Sequence, residues 1–236
     1  MDINLNNNCY CLTISDLKYE NLCHNFTDCG LKKPFKFEGF IRDDIVPKDK
    51  KTTELRHFLC SMGHFSMLFT ADILNLEYCC ILEEDSYCID KNINTTLNNI
   101  LNDLYKTKWE ILILGYDAIY PEISPFTSNP PEYNDYFKII KKYILDDTKY
   151  CYRLNTQFLS GSHALIIKNT AYKKIMNRIV KDRQPVDKFY ARTKDCITYI
   201  SKKSLFYQKD NNLFKKPFYT QTNYDIGPIS FISDNT

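Results

Sequence analysis

The sequence predicts an α/β domain with a mainly parallel central sheet flanked by helices. Residues 78–82 form an apolar run of strand length, and residues 109–114 form a largely apolar one, as is typical of strands covered on both faces. Within residues 53–76, apolar side chains recur at three- and four-residue steps, which predicts a long helix. Segments of these two kinds alternate along the chain, and this alternation favours a parallel α/β sheet.

The first half of the chain reads as a regular succession of strands and helices. Asp16 can cap the first helix, and Gly30 can end it in a left-handed conformation. The charged segment 43–51 is expected to be a loop. The predicted strands are 10–14, 35–40, 78–82 and 109–114, and the predicted helices are 16–29, 53–76 and 90–105.

The second half begins with a proline-rich segment, 120–131, which is predicted to be a functional or mobile loop. The helices predicted after it are 136–145, 169–180 and 186–192, and the strands are 164–167, 196–200 and 205–208. No linker interrupts these elements, so residues 1–236 are expected to form a single domain.

Composition narrows the function classes. The net charge is +2, and the lysine pairs are scattered along the chain, so no concentrated basic stripe points to nucleic acid. No stretch reaches the ~18 consecutive apolar residues of a membrane helix. The N-terminus lacks the basic and apolar regions of a signal peptide. We therefore expect no nucleic-acid partner, no membrane span and a cytoplasmic location.

Cysteine is abundant, with ten residues in the chain. No Cys-x-x-Cys pair occurs, so the spacing gives little support to a structural zinc site. Several cysteines, such as Cys79, Cys80 and Cys196, lie within apolar runs and are expected to act as small buried hydrophobic residues.

The acidic cluster Glu83-Glu84-Asp85 follows directly after the apolar run 78–82. Three adjacent carboxylates repel one another, and a divalent cation is the usual compensation. Oxygen ligands suit Mg²⁺ or Mn²⁺, and ligands of α/β sheets gather at the carboxyl ends of the strands. The cluster therefore predicts a site for a metal and a diphosphate. On its own it is at least as compatible with a solvated acidic turn, since such turns are common at strand ends.

Five short motifs occur in a fixed order around this cluster. They are Cys60-Ser61-Met62-Gly63-His64, Ile81-Leu82-Glu83-Glu84-Asp85, Trp109-Glu110-Ile111-Leu112-Ile113-Leu114-Gly115, Gly161-Ser162-His163-Ala164 and Pro185-Val186-Asp187. They resemble the motifs C-x-x-S-H, I-L-E-D-D, W-D-hydrophobic-L-G, G-T-H-A-Y and P-hydrophobic-D of glycosyltransferase family 25, which contains lipopolysaccharide β-galactosyltransferases and procollagen galactosyltransferases. The resemblance spans roughly residues 9–208. Glu84 and Gly63 depart from it, standing where the family has Asp and Ser.

The resemblance implies a single GT-A-like domain, with a nucleotide-binding half at about residues 9–115 and an acceptor-binding half at about 116–210. It implies that Asp85 coordinates Mn²⁺ or Mg²⁺ and that Glu83 helps to hold the metal or the donor ribose. It also implies that Asp187 is the general base of an inverting transfer, although an Asp at this position could equally cap a short helix. The remaining residues expected to bind the donor are Leu12, Thr13, Ser15, His64, His163 and Gln208.

The activity that this resemblance implies is transfer of a hexose, galactose or glucose, from a UDP-sugar to a glycan or a hydroxylysine-type acceptor. The alternative is a non-catalytic GT-A-like module that binds a carbohydrate or a protein. The departures at Glu84 and Gly63 leave this alternative open.

Overall fold

The computed structural model describes residues 3–40, 52–88, 90–115, 118–119, 144–154, 159–160, 163–182, 185–186, 189–190, 196–202 and 204–208. Within these ranges, helices lie on both faces of one large sheet. The predicted α/β class, with a central sheet flanked by helices, is confirmed.

Strands and helices alternate from residue 9 to residue 83, whereas six described strands follow one another between residues 111 and 168. The helices are α1 (Asp16–Asp28), α2 (Thr53–Ile73), α3 (Ile93–Asp103) and α4 (Asn169–Asp182). The strands of the first half are β1 (Cys9–Thr13), β2 (Phe35–Glu38), β3 (Tyr78–Glu83), β4 (Ser86–Cys88), β5 (Ile111–Gly115) and β6 (Ala118–Ile119). Those of the second half are β7 (Ile144–Asp147), β8 (Cys151–Leu154), β9 (Leu159–Ser160), β10 (Ala164–Lys168), β11 (Thr198–Ser201) and β12 (Phe206–Gln208).

The main sheet runs in the order β2-β1-β3-β10-β5-β11-β8-β7, and β12 pairs with both β4 and β5. Strand β1 pairs in parallel with β2 and β3, and β5 pairs in parallel with β11 and β12. Strand β10 lies antiparallel between β3 and β5. Beyond β11 the strands β8 and β7 pair antiparallel, as do β12 and β4. The sheet is therefore mixed, with parallel pairs on each side of the antiparallel β10 and an antiparallel margin at β8 and β7.

Each face of the sheet contributes alternate residues to its own core. One core packs β1, β3, β5 and β10 against α2 and α4, and it includes Leu12, Leu68 and Tyr172. The other packs the opposite faces of the same strands against α1 and α3, and it includes Phe26 and Leu97. Because consecutive strand residues point to opposite faces, a strand buried on both sides must be apolar throughout, as residues 78–82 are.

Both ends of helix α1 are capped. Ser15, and not Asp16, is the residue that caps the helix, since its side chain accepts a hydrogen bond from the backbone N–H of Lys18. Asp16 is the first helical residue, where its charge favours the positive end of the helix dipole. Gly30 follows the helix with a φ of 70°, which is the left-handed conformation expected there.

The predicted helix 136–145 is wrong where it can be compared, because Ile144–Asp147 is the strand β7. Its alternating pattern of half-buried and exposed residues is that of an edge strand with one face towards solvent. Residues 136–143 lie outside the described residues, as do the predicted loops at 43–51 and 120–131. The short strands β4, β6, β8 and β9 are additional elements that the sequence pattern did not predict.

The ten cysteines are free thiols, nine of them buried and Cys60 half-buried. The expectation that Cys79, Cys80 and Cys196 pack as small hydrophobic residues is confirmed, since all three belong to the two cores. Of the helices that the structure describes, none combines the length and the apolar character needed to cross a bilayer.

Candidate functional site

The candidate site lies at one edge of the sheet, where strands β1, β3 and β5 all end. Strands β3 and β5 are both antiparallel to β10, so they run in the same direction as each other and as β1. From β1 the chain passes through α1 to β2 on one side, and it then returns through α2 to β3 on the other side. The gap between the carboxyl ends of β1 and β3 is therefore a topological switch point, where α/β proteins commonly bind ligands.

Glu84 binds the loop between β1 and α1. Its Oε2 accepts hydrogen bonds from the backbone N–H groups of Ile14 at 2.7 Å and Ser15 at 3.0 Å, and it lies 2.8 Å from the hydroxyl of Thr13. Lys18 lies 3.6 Å from the other carboxylate oxygen. Glu84 thus places a negative charge at the start of α1 and ties the end of β3 to the end of β1.

Glu83, the last residue of β3, turns towards α2. Its Oε1 lies 3.3 Å from Nε2 of His64 and 3.9 Å from Sγ of Cys60. Burial raises the pKa of Glu83, but the hydrogen bond and the charge of His64 outweigh it and lower that pKa below its ordinary value. Nδ1 of the fully buried His64 lies 2.8 Å from the hydroxyl of Tyr190.

Cys60, His64 and Glu83 each offer one ligand atom, and the three atoms lie within 4.8 Å of one another. Cys60 and His64 are four residues apart on α2, so both side chains lie on the same face of that helix. A thiol, an imidazole and a carboxylate in this arrangement could hold a metal ion.

Asp85 follows Glu83 and Glu84 in the turn that leads to β4. Burial first, and the charge of Glu83 second, raise the pKa of its carboxyl to about 7. Its Oδ1 is buried and has no hydrogen-bond partner among the described residues. Asp85 also lines a cleft of about 160 Å³ beside α1. The other residues lining this cleft are Lys18, Asn21, Leu22, Glu84, Ser86 and Tyr87.

His163 lies just before β10 and is fully buried. Its Nε2 lies 3.0 Å from the backbone carbonyl of Phe206, and its own carbonyl accepts from the backbone N–H of Glu83 and from the hydroxyl of Ser86. Burial lowers the pKa of His163 to about 4, so the ring is neutral at physiological pH. Its contacts brace the ends of β3, β4 and β12 against one another.

Two glycines permit close approach around the site. A Cβ on Gly63 would lie 2.6 Å from Cδ1 of Leu12, so α2 packs directly onto β1 beside His64. A Cβ on Gly115 would lie 2.7 Å from Nε2 of His163. Any side chain at position 63 would require the Leu12 side chain to shift.

The structure describes most of the residues that the sequence singled out, and they lie in different environments. The side chain of Leu12 is buried in the core, whereas Thr13, the last residue of β1, and Ser15, in the loop that follows, both contact Glu84. Gln208, in β12, pairs through its backbone with Ser86 of β4, next to the acidic turn. Asp187 lies outside the described residues.

Sequence reasoning assigned no role in the candidate site to three residues that contact its side chains: Cys60, Tyr190 and Lys18. The four-residue spacing of Cys60 and His64 within a predicted helix was a readable signal for a shared face. Tyr190 lies 126 residues from its partner His64, and no local pattern encodes such a contact. The role of Glu84 in holding the β1–α1 loop was equally invisible, because its partners are about 70 residues away.

No family model matches the sequence, and no curated protein matches it. Three solved structures are similar in fold at low identity. A197 from STIV has a TM-score of 0.41 at 10% identity, covering 81% of this chain and 79% of its own. A glycosyltransferase involved in the glycosylation of the major capsid of PBCV-1 has a TM-score of 0.37 at 12% identity, covering 73% of this chain and 66% of its own. Mannose-1-phosphate geranyltransferase from Thermus thermophilus has a TM-score of 0.39 at 11% identity, covering 82% of this chain and 73% of its own. Likenesses at this level assign neither a family nor an activity.

Proposed function

We propose that this chain is a metal-dependent glycosyltransferase that moves a hexose, galactose or glucose, from a UDP-sugar to a glycan or hydroxylysine-type acceptor. The observation that carries the proposal is the buried, uncompensated carboxyl group of Asp85 at the topological switch point. Its Oδ1 is buried without a hydrogen-bond partner among the described residues, and its neighbour Glu83 adds to the electrostatic cost of ionising it. A bound cation would remove both penalties. The ordered motifs that resemble glycosyltransferase family 25 give the proposal its reaction class.

Oxygen ligands at this position fit Mn²⁺ or Mg²⁺, which prefer carboxylates and leave coordination positions for phosphate oxygens. In this proposal Asp85 is the principal ligand, and Glu83 contributes negative charge from the same strand end. When bound, the metal would neutralise the charge that develops on the leaving diphosphate. Thr13, at the end of β1, and Ser15, in the loop after it, would then face the nucleotide, and Leu12 would support them from the core.

The transfer itself needs one base and one leaving group. The acceptor hydroxyl oxygen forms a bond to the anomeric carbon of the hexose as the bond from that carbon to the diphosphate oxygen breaks. The electron pair leaves with UDP, and the hydroxyl proton passes to a carboxylate on the acceptor side. We assign this role to Asp187, in the half of the chain expected to bind the acceptor. His64, His163 and Gln208 remain proposed donor-site residues, and the contacts of the two histidines fit a supporting role.

The direct test combines binding and turnover. The midpoint of thermal unfolding is measured with and without UDP and Mn²⁺. Turnover is measured as release of UDP from UDP-galactose and from UDP-glucose. Ligands specific for the folded state raise the unfolding free energy, by about 2.7 kcal/mol at a hundred times the Kd. Asp85→Asn should abolish both the metal-dependent stabilisation and UDP release. Asp28→Asn, an exposed residue at the far end of α1, is the matched control and should change neither. If Asp85→Asn retains full turnover, the site assignment is wrong.

One observation favours a second candidate, the non-catalytic module. Glu84 already occupies backbone N–H groups at the start of α1, which in other α/β proteins are available to a phosphate. A module that binds a carbohydrate or a protein would not need those groups. Absence of any stabilisation by UDP, GDP or CMP with Mn²⁺, together with stabilisation by an oligosaccharide, would support this candidate over the enzyme.

A further inference from the structure

The cluster of Cys60, His64 and Glu83 differs in chemistry from the oxygen-rich turn beside it. It joins a sulfur, a nitrogen and an oxygen atom from two elements, α2 and β3. Nε2 of His64 lies 3.3 Å from Oε1 of Glu83, and Sγ of Cys60 lies 3.9 Å from the same oxygen. Thiolate and imidazole ligands favour zinc and other late transition metals over Mg²⁺ and Mn²⁺.

The three ligand atoms lie within 4.8 Å of one another, close to the separations around a tetrahedral metal ion. Zinc binds sulfur at about 2.3 Å and nitrogen or oxygen at about 2.0–2.2 Å, so ligand atoms around it lie roughly 3.3–3.6 Å apart. The distance of 3.3 Å between His64 and Glu83 already falls in this range, and that of 3.9 Å between Cys60 and Glu83 needs a shift of a few tenths of an ångström. Such a shift lies within the reach of a side-chain rotation at the half-buried Cys60.

The histidine of the cluster is held as metal-binding histidines usually are. Its ring is fully buried, and Nδ1 lies 2.8 Å from the hydroxyl of Tyr190. This contact turns Nε2 towards Glu83 and fixes the ring before any ion arrives. A partner on the second ring nitrogen is the typical support of a metal ligand.

Solvent can reach the cluster from one side. The Glu83 side chain keeps 25% of its surface exposed, and Cys60 is half-buried, whereas His64 has none of its side chain exposed. Three protein ligands with one open side leave the fourth position of a tetrahedral ion to water or to an exogenous ligand atom.

We propose that Cys60, His64 and Glu83 bind Zn²⁺ in a three-ligand site that joins α2 to the end of β3. On binding, the Cys60 thiol gives up its proton to solvent and its sulfur bonds to the metal. Nε2 of His64 gives up to solvent the proton that it shares with Glu83, and Nε2 and the Glu83 carboxylate then each form one bond to the metal. The ring keeps a proton on Nδ1, where Nδ1–H donates to Tyr190, taking that proton from solvent if the metal-free ring carried it on Nε2 alone. The zinc site uses Glu83 and His64, which the transferase proposal also places near the donor, but it does not depend on the transfer reaction, because a transferase and a binding module could both contain it.

The test uses the full chain, stripped of metal with a chelator and then titrated with Zn²⁺ or Co²⁺. Calorimetry should give one Zn²⁺ per chain, and Co²⁺ should produce a sulfur-to-cobalt charge-transfer band in the near ultraviolet. Cys60→Ser should abolish that band and weaken Zn²⁺ binding by more than the roughly 10–100-fold typical of losing a partner of a ligand. Tyr190→Phe, which removes such a partner, should weaken binding within that range and keep the band.

His57→Gln is the matched control, because His57 is exposed on the same helix and lies three residues before Cys60. It should leave both the stoichiometry and the band unchanged. Circular dichroism of each variant shows that it is folded. The proposal is overturned if the wild type binds no Zn²⁺, or if folded Cys60→Ser binds Zn²⁺ as tightly as the wild type and keeps the band.

The outcome is separable from that of the proposed function. Asp85→Asn should retain the cobalt band while losing the response to UDP and Mn²⁺. A chain that shows the cobalt band but no response to UDP with Mn²⁺ would contradict only the transferase. A chain that turns over UDP-sugar without the band would contradict only the zinc site.

Discussion

Asp85→Asn should stabilise the metal-free protein, and the gain should grow with pH. The Asp85 carboxyl has a pKa of about 7 in the folded chain, against about 3.9 in an unfolded one. Between these values the folded state binds more protons than the unfolded state, so the free energy of unfolding falls as pH rises. The full penalty is present above pH 7. A pKa difference of one between the folded and unfolded states corresponds to about 1.4 kcal/mol, so the penalty in the free energy of unfolding is about 4 kcal/mol at most.

Urea denaturation at a series of pH values from 4 to 8 measures this effect. Trp109 is the only tryptophan and is buried, so its fluorescence reports unfolding. Comparing the variant with the wild type at each pH cancels the other titrating groups. The two proteins should be nearly equal at pH 4, with Asp85→Asn the more stable at pH 8. Asp28→Asn should show no such trend. A difference that does not change with pH, or a variant that is less stable at pH 8, would refute the electrostatic reasoning.

Three further substitutions test the packing of the site. Glu84→Gln removes the charge from a carboxylate that faces three hydrogen-bond donors. The free energy of unfolding in urea should therefore fall by about 2 kcal/mol. An unchanged midpoint would contradict the role of Glu84 in holding the β1–α1 loop. Gly63→Ala places a methyl group 2.6 Å from Leu12, and the unfolding free energy should fall by about 1–3 kcal/mol although Ala favours helices; a gain would show that α2 can move aside. Gly115→Ala crowds the ring of His163, so the thermal midpoint should fall and the NMR signals of that ring should shift; unperturbed signals would count against the contact.

The elements with strong local patterns were predictable from the sequence. Helix α2 and strand β3 agree with their predicted positions because buried faces impose a regular spacing on apolar residues. The direction of β10 was not predictable, since a strand buried on both faces is apolar whether it pairs in parallel or antiparallel. The strand at Ile144–Asp147 is short and half-exposed, and its residues carry too weak a pattern to be distinguished from a helix end.

The sequence places the three carboxylates at the end of an apolar strand, as the structure does, but their contacts were not predictable. The three carboxylates face different partners, and those partners come from distant parts of the chain. Glu84, the residue that departs from the family pattern, is the one that makes the most hydrogen bonds. The longer side chain of Glu spans the distance to the N–H groups after β1, and that demand arises only in the folded chain.

The contact between His64 and Tyr190 gives the two halves of the chain a thermodynamic connection. Tyr190 lies three residues after Asp187 in sequence, whereas His64 belongs to the first half. A ligand that reorients the imidazole must strengthen or weaken the tyrosine contact. By reciprocity, a molecule bound next to Tyr190 then alters the affinity for that ligand by the same factor. If Zn²⁺ binds His64 as proposed, we therefore expect its affinity to be coupled to that of any molecule that contacts Tyr190. Titrating either ligand in the presence of the other would give the sign of this coupling.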